Sequence, residues 1–192
     1  MLTERQEQIV EASVNLIAEK GIQGFTIKNL SKAIGISEPG IYRHFENKTK
    51  ILLTILDQFL NMAQMLSGLV ENNKLSAVQN ISFMFGKIVD LFSETPALVS
   101  VIFSEEIFKN ERVLKNKIIE IFNTNELTIE KIMLKGQENK EIRKDIDEKN
   151  LALLTMGSLR LMVKRWDLND YNFDLKKEGN RLIASVETII AG

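Results

Sequence analysis

Two short amphipathic segments that meet at Gly35 constrain the fold of this chain more than any other feature of its sequence. In the first segment Thr26 precedes apolar residues at helical spacing, which are Ile27, Leu30, Ala33 and Ile34. Threonine suits an N-cap because its side-chain oxygen accepts a hydrogen bond from a free backbone N–H of the first turn. Glycine suits the end of such a helix because it adopts positive φ without steric cost. The pattern predicts a short helix that ends at Gly35.

A second short helix is predicted directly after this turn. Ser37 is its N-cap candidate, and Pro39 lies in its first turn, where the missing N–H of proline costs nothing. Ile41 and Phe45 lie one helical turn apart and share the face that we expect to be buried. Two short helices joined by a tight turn with glycine form a helix-turn-helix, which presents the start of its second helix to a DNA major groove.

A longer helix precedes this pair. Thr3 and Gln6 fit a capping box, in which each side chain accepts a hydrogen bond from the other residue's backbone N–H. Gly21 is the C-cap candidate, so we predict this helix over residues 4–20. The small core that fixes the two short helices is predicted to consist of Ile27, Leu30, Ala33, Ile36, Ile41 and Phe45.

Helical patterns continue over the rest of the chain. Asn47 is the N-cap candidate of a long fourth helix, and Gly136 is a candidate for a break or kink further along. The other predicted helices span residues 75–93, 96–109, 111–137, 148–166 and 175–191. The sequence therefore predicts an all-α fold, with a three-helix N-terminal domain over residues 1–47 and a helical C-terminal domain over residues 48–192.

The composition argues against several classes of site. The chain has no cysteine, and His44 is its only histidine, so disulfides and cysteine-based metal sites are excluded. It contains neither a phosphate-binding glycine loop nor a Gly-x-Ser-x-Gly motif. We therefore predict that the protein is not an enzyme and holds no metal and no cofactor.

Charge and hydropathy are less informative. The net charge is −1, and residues 1–50 hold 7 basic and 6 acidic side chains, so DNA binding cannot be inferred from bulk electrostatics. The most apolar run, residues 151–163, contains Arg160 and is shorter than the roughly 20 residues of a membrane-spanning helix. We expect a soluble, cytoplasmic protein without a membrane partner.

A sequence motif indicates DNA binding, which the net charge does not. From Thr26 to Lys48 the sequence resembles the DNA-binding segment of TetR-family transcriptional regulators, and the Tyr-Arg-His-Phe stretch followed by lysine is much more specific than a generic helix-turn-helix. The matching residues are Thr26, Ile27, Leu30, Ala33, Gly35, Ile36, Ser37, Ile41, Tyr42, His44, Phe45 and Lys48. The resemblance covers about residues 5–55. Beyond them only the length and the helical pattern agree.

The resemblance implies that the protein binds a double-stranded DNA operator. The residues that would open the recognition helix near the base edges are Ser37, Glu38, Pro39 and Gly40. Those that would contact phosphates, or a base in the case of Arg43, are Thr26, Lys28, Tyr42, Arg43, His44 and Lys48. These residue types suit the task, because helix N-termini and cations bind phosphate oxygens and arginine pairs with guanine.

Two of the reading positions are unusual for a DNA-binding surface. Glu38 repels phosphate, although a glutamate accepts a hydrogen bond from N4 of cytosine. Gly40 has no side chain with which to contact a base. We therefore expect sparse base readout, with DNA shape and phosphate register contributing much.

The C-terminal domain, by the same resemblance, binds an effector and forms a dimer. Most of its aromatic and methionine residues are expected to be core, and the candidates for a largely apolar effector pocket are Phe85, Phe103, Phe122 and Met156. The helices over 148–166 and 175–191 are apolar on more than one side, so they lie deep inside one subunit or in a four-helix dimer interface. We favour the dimer, with the interface residues Leu154, Leu161, Leu182, Val186 and Ile189. Gly157, Gly179 and Ala184 would let its helices approach closely.

The resemblance thus predicts a transcriptional repressor that a small-molecule effector releases from a palindromic operator. Effector binding would favour a conformation in which the two recognition helices no longer match successive major grooves. The alternative is a helical ligand-binding or interaction protein whose helix-turn-helix no longer functions.

Overall fold

The computed structural model describes residues 2–103 and 111–192, which form nine α-helices. The helices are α1 Glu4–Gly24, α2 Ile27–Ile34, α3 Glu38–Tyr42, α4 Lys48–Asn72, α5 Ala77–Glu94, α6 Ala97–Ile102, α7 Arg112–Glu138, α8 Glu148–Leu168 and α9 Leu175–Ile190. The predicted all-α fold class is confirmed. The second half of the helix predicted over residues 96–109 lies outside the described residues.

Local side-chain caps set most of the helix starts. The Thr3–Gln6 capping box forms at α1, with the Gln6 N–H donating to Thr3 Oγ1 at 3.3 Å. A second capping box, which the sequence prediction missed, joins Ser76 and Gln79 and starts α5 two residues later than predicted. Gly21, with φ of 66°, interrupts the helical geometry of α1 where an end was predicted, and a last turn then continues to Gly24.

Gly136 does not break α7, contrary to one interpretation of the sequence. The helix continues through it to Glu138, and Gly136 is buried. A Cβ atom at this position would lie 2.6 Å from Ala77 Cβ and 2.6 Å from Ile142 Cδ1. The glycine is therefore explained by a close approach of neighbouring elements rather than by a bend.

The first of two compact units comprises Met1–Asn61 and Ala97–Ile121. Within it α1 packs against α2 and α6, and α2 packs against α3. Its fully buried side chains include Ile9, Ile17, Phe25, Leu30, Ile41, Ile51, Ile55 and Leu114. This unit is larger than the predicted domain over residues 1–47, because it also includes the first half of α4, all of α6 and the start of α7. The division at residue 48 stays a prediction.

The second unit comprises Met62–Pro96 and Phe122–Gly192. Here α9 packs against α5 and α8. Its buried residues include Ile81, Phe85, Val89, Met133, Leu151, Val163, Trp166 and Val186. The turn between α8 and α9 is held by Trp166, whose Nε1–H donates to the Phe173 carbonyl at 2.8 Å.

Candidate nucleic-acid interface

The turn between α2 and α3 has the caps that the sequence predicts. Thr26 Oγ1 accepts the Asn29 N–H at 3.1 Å, and Ser37 Oγ accepts the Gly40 N–H at 3.2 Å. Gly35 has φ of 75° and ψ of 30°, a left-handed conformation that favours glycine. These local bonds define where α2 ends and α3 begins.

The apolar side of α3 is anchored beneath this turn. Ile41 and Leu30 are fully buried, and Phe45 is nearly so. Ala33 was predicted to belong to the same core but is exposed, because it lies at the edge of the apolar arc of α2. Ile27 and Ile36 are only half-buried. The core under the recognition helix is therefore smaller than predicted.

The predicted DNA contacts all come from one short stretch of the first unit, at the start of α2, along α3 and the turn after it, and at the first residue of α4. The exposed residues among them are Thr26, Lys28, Ser37, Glu38, Pro39, Tyr42 and Arg43. The half-buried residues are Gly40, His44 and Lys48. Tyr42, with 51% of its surface exposed, extends away from the buried Ile41. The arrangement presents hydroxyl, guanidinium and ammonium groups on a surface supported by a small apolar core.

Lys48 is half-buried, whereas the cations Lys28 and Arg43 are exposed. The Lys48 ammonium group lies 5.0 Å from the centroid of the Phe25 ring, within the range of a cation–π interaction. Burial lowers the pKa of the Lys48 side chain. Asn47 caps the same helix, since its Oδ1 accepts the Lys50 N–H at 2.9 Å. The position of the Lys48 side chain is thus restricted by contacts within the protein itself.

Gln6 also contacts this region, and the sequence prediction did not include it among the site residues. Its Nε2–H donates to the carbonyl of His44 at 3.2 Å. The sequence marked Gln6 only as part of the α1 capping box. No local pattern links it to a residue 38 positions away.

The residues predicted for a dimer interface divide into two groups. Leu154 and Leu161 on α8 and Ile189 on α9 are more than half exposed, and Leu182 is half-buried. Val186 is only 5% exposed and belongs to the core of its own protomer, so it does not lie on this exposed surface. A groove of about 620 Å³ runs along α8 and α9 and is lined by Ser158, Leu161, Met162, Arg165, Phe173, Glu178, Arg181, Leu182 and Ser185.

Gly179 allows a close contact within one chain, whereas the prediction placed that contact between two subunits. It was expected to let helices approach across a dimer, but it is buried against Val89 of α5 in the same chain. An added Cβ would lie 2.8 Å from Val89 Cγ2. Gly157 and Ala184, by contrast, are not packed in this way: Gly157 has no atom within 4 Å of an added Cβ, and Ala184 is exposed.

The four candidate effector-pocket residues differ in burial within the described part of the chain. Phe85 is 1% exposed and deep in the core, whereas Phe103, Phe122 and Met156 are half-buried. The Arg160 guanidinium lies 4.7 Å from the centroid of the Phe122 ring. None of the four lines the groove on α8 and α9 or a second cavity of about 150 Å³, which lies between Val70, Asn80, Lys131 and Glu141. Their role as an effector pocket stays a prediction.

The part of the chain that the structure describes offers neither a metal site nor a membrane span. Within residues 2–103 and 111–192, no three His, Asp or Glu side chains cluster closely enough to hold a metal ion. No helix in the same residues is both long and apolar enough to cross a membrane.

Comparison with protein families decides the class. Residues 9–55 match the profile described as "Bacterial regulatory proteins, tetR family", and residues 61–190 match the one described as "YsiA-like protein, C-terminal region". The chain belongs to the TetR family of bacterial regulatory proteins. The TetR resemblance noted on residues 26–48 is thereby confirmed, and the protein is a DNA-binding transcriptional regulator of the TetR type.

Individual relatives of this TetR-family chain agree over nearly its whole length. A fatty acid metabolism regulator protein of Bacillus subtilis (strain 168) is 25% identical over 187 residues, which cover 96% of this chain and 93% of the relative. The crystal structure of FadR from Bacillus subtilis in complex with stearoyl-CoA matches with a TM-score of 0.80 and 22% identity, covering 96% of this chain and 98% of that one. The ketosteroid transcriptional regulator KstR2 of Mycobacterium tuberculosis matches with a TM-score of 0.85 and 17% identity, covering 100% and 97%. The two solved structures share the TetR fold with this protein.

Proposed function

We propose that the protein is a homodimeric repressor that binds a palindromic DNA operator and is released by a small-molecule effector. The observation that carries the proposal is the construction of α3 and the turn after it, where Ile41 and Phe45 are buried while Glu38, Tyr42 and Arg43 are exposed. A short helix fixed from one side and polar on the other suits insertion into a major groove. The protein would act in the cytoplasm by binding alone, without catalysis.

The ten residues predicted from the sequence are the proposed DNA contacts. Lys28 and Lys48 carry ammonium groups suited to phosphates, and the N-terminus of α2 adds free backbone N–H groups. Arg43 is the proposed base reader, since its guanidinium pairs bidentately with guanine. We retain the functional division at residue 48, with DNA contacts before it and at Lys48 itself.

The proposed dimer forms through α8 and α9. Leu154 and Leu161 are 60% and 63% exposed, and large apolar side chains in such a patch mark an interaction surface. A twofold dimer would present two recognition helices to half-sites spaced by one turn of DNA, about 34–36 Å. Because such a dimer has twofold symmetry, its operator should be palindromic.

We propose a largely apolar effector, with long-chain acyl-CoA thioesters as the first class to test. Support comes from the Bacillus subtilis relative, a fatty acid metabolism regulator, and from the FadR structure that contains stearoyl-CoA. Both α4 and α7 contribute residues to each of the two units, so they are our candidates for transmitting the effect of the ligand. Linkage then requires the operator to weaken effector binding by the same factor by which the effector weakens operator binding.

The test is selection of binders from a random duplex-DNA library by the purified protein. We expect recovery of one palindromic sequence, and relaxed preference at one position in Arg43→Ala. Tyr42→Phe should weaken binding of all sequences alike. Lys144→Ala, which removes an exposed cation from the loop after α7, is the matched control and should bind as the wild type does.

Stearoyl-CoA is then titrated into the protein–operator complex, with free CoA as the control for its headgroup. Dissociation by stearoyl-CoA but not by CoA would support the effector class. If the selection from the duplex-DNA library enriches no sequence, the result favours the alternative, a helical ligand-binding or interaction protein whose helix-turn-helix no longer functions.

A further inference from the structure

We infer that Gln6 is a positioning residue for DNA recognition, because its side chain ties the end of α3 to the first turn of α1. The inference rests on the proposed DNA-binding function of α3. It assigns a role in that function to a residue outside the ten proposed contacts.

The side-chain amide of Gln6 forms hydrogen bonds through both its oxygen and its nitrogen. Its Oε1 accepts hydrogen bonds from the Thr3 N–H at 3.0 Å and from the Thr3 hydroxyl at 3.2 Å. Its Nε2–H donates to the His44 carbonyl at 3.2 Å. One half-buried side chain therefore completes the cap of α1 and also holds a carbonyl just past the end of α3.

The segment that ends α3 needs a hydrogen-bond donor from outside the helix. The α3 helix has only five residues, Glu38–Tyr42, so few internal hydrogen bonds stabilise it. The carbonyls at a helix C-terminus have no partner within the helix. The His44 N–H already donates to the Ile41 carbonyl at 2.9 Å, and Gln6 supplies the donor for the His44 carbonyl itself.

The position of this bond links it to recognition. His44 lies between exposed Arg43 and buried Phe45, so its peptide group connects the proposed DNA-contacting surface to the core. Phe45 holds this segment by apolar burial, which is not directional. The hydrogen bond from Gln6 is directional and restricts how the peptide plane after His44 rotates. We infer that the bond reduces the freedom of Tyr42 and Arg43 before DNA binds.

Two charge-neutral variants separate this role from helix capping. Gln6→Met keeps the length of the side chain but removes the acceptor for the Thr3 N–H and hydroxyl, and it removes the donor to His44. Thr3→Ala removes the hydroxyl of the capping box, yet leaves the Gln6 amide free to donate to His44. Both variants should lower the melting temperature of the protein, since both weaken the cap of α1.

Operator binding should distinguish them. Dissociation constants are measured for the selected operator and for a scrambled duplex of the same composition. We expect Gln6→Met to lose roughly threefold to tenfold in operator affinity, the worth of one hydrogen bond, with less loss on the scrambled duplex. Thr3→Ala should retain the operator preference of the wild type. Equal operator preference in all three proteins, or a parallel loss in both variants, would overturn the inference.

A measurement without DNA keeps the test separate from the proposed function. The backbone carbonyl carbon shift of His44 and the amide exchange of residues 43–45 are recorded by NMR for each protein. We expect both to change in Gln6→Met and to stay near wild type in Thr3→Ala. If the wild type selects no operator, the proposed function fails, and unchanged His44 signals in Gln6→Met would still refute the anchoring of α3.

Discussion

The ammonium nitrogen of Lys48 lies 5.0 Å from the centroid of the Phe25 ring, and Phe25 is fully buried. A lysine at the first residue of a helix is opposed by the positive end of the helix dipole. The aromatic face offsets part of this cost by attracting the cation. Lys48, the proposed phosphate contact, is therefore positioned by the core of the first unit.

Replacing Lys48 by glutamine should weaken binding of all DNA sequences to a similar extent. The loss of one phosphate contact should also lower the slope of log affinity against log salt by about one. Lys50→Gln is the matched control, because Lys50 is exposed and lies outside the predicted contacts. Affinities measured over a series of salt concentrations provide both quantities. An unchanged slope in Lys48→Gln would remove Lys48 from the phosphate contacts.

Alkaline pH should weaken operator binding through the same residue. Because burial lowers the pKa of Lys48, it loses its proton at a lower pH than an exposed lysine does. Lys48→Arg stays protonated, so its affinity should decline less as the pH rises from neutral towards the ordinary lysine pKa of about 10.4. Fluorescence anisotropy with labelled operator over this range makes the comparison. Parallel curves for the two proteins would contradict the prediction.

Removing the acid of the recognition helix should raise non-specific affinity. Glu38 is exposed and repels phosphates, so Glu38→Gln should bind the scrambled duplex more tightly than the wild type does. If Glu38 also accepts from a cytosine N4, the preference for that base should fall in the same variant. Glu11→Gln, an exposed change on α1, controls for net charge. A rise of equal size in both variants would mean that only the net charge matters.

A charge on α8 should separate the subunits without unfolding them. Leu161 is 63% exposed, so Leu161→Glu should yield folded monomers that have lost operator affinity. Val186 is only 5% exposed, so Val186→Ala should cost roughly 1–3 kcal/mol of protomer stability and leave the interface residues in place. Sedimentation velocity and thermal denaturation distinguish the two effects. A Leu161→Glu variant that stays dimeric would place the interface elsewhere.

Two glycines in the second unit should respond to alanine with opposite signs. At Gly179 the new methyl would lie 2.8 Å from Val89 Cγ2, so either the buried Val89 side chain or α9 must shift, at a cost of roughly 1–3 kcal/mol. At Gly86, inside α5, an added Cβ meets no atom within 4 Å, and alanine should stabilise the helix by roughly 0.5–1 kcal/mol. Urea denaturation of both variants measures the two changes in the free energy of unfolding. Equal effects would contradict the packing described at Gly179.

The elements that the sequence predicted well are those determined by near neighbours. The hydrogen bonds from Asn29 to Thr26, from Gly40 to Ser37 and from Lys50 to Asn47 each span three residues, so a capping pattern is enough to place them. The family motif lies in the same short stretch. Local patterns were therefore sufficient to predict the helix-turn-helix and to select the proposed DNA contacts.

Contacts between distant segments could not be predicted in this way. Helical periodicity gives the direction in which a side chain points, but it does not identify the element that covers it. Val186 has the pattern of an interface residue, and only its burial in the folded protomer makes it part of the core. Gly136 and Gly179 leave no room for a Cβ atom because residues distant in sequence pack against them.

The sequence by itself determined most of the helices, their caps and the chemical groups that we propose as DNA contacts, because these depend on bonds within a few residues. Only the tertiary structure decided which apolar faces are covered, that Lys48 lies over Phe25, and that Gln6 holds the carbonyl of His44. Those contacts form when the folded chain brings together groups that are far apart in sequence, and their partners depend on the packing of whole helices.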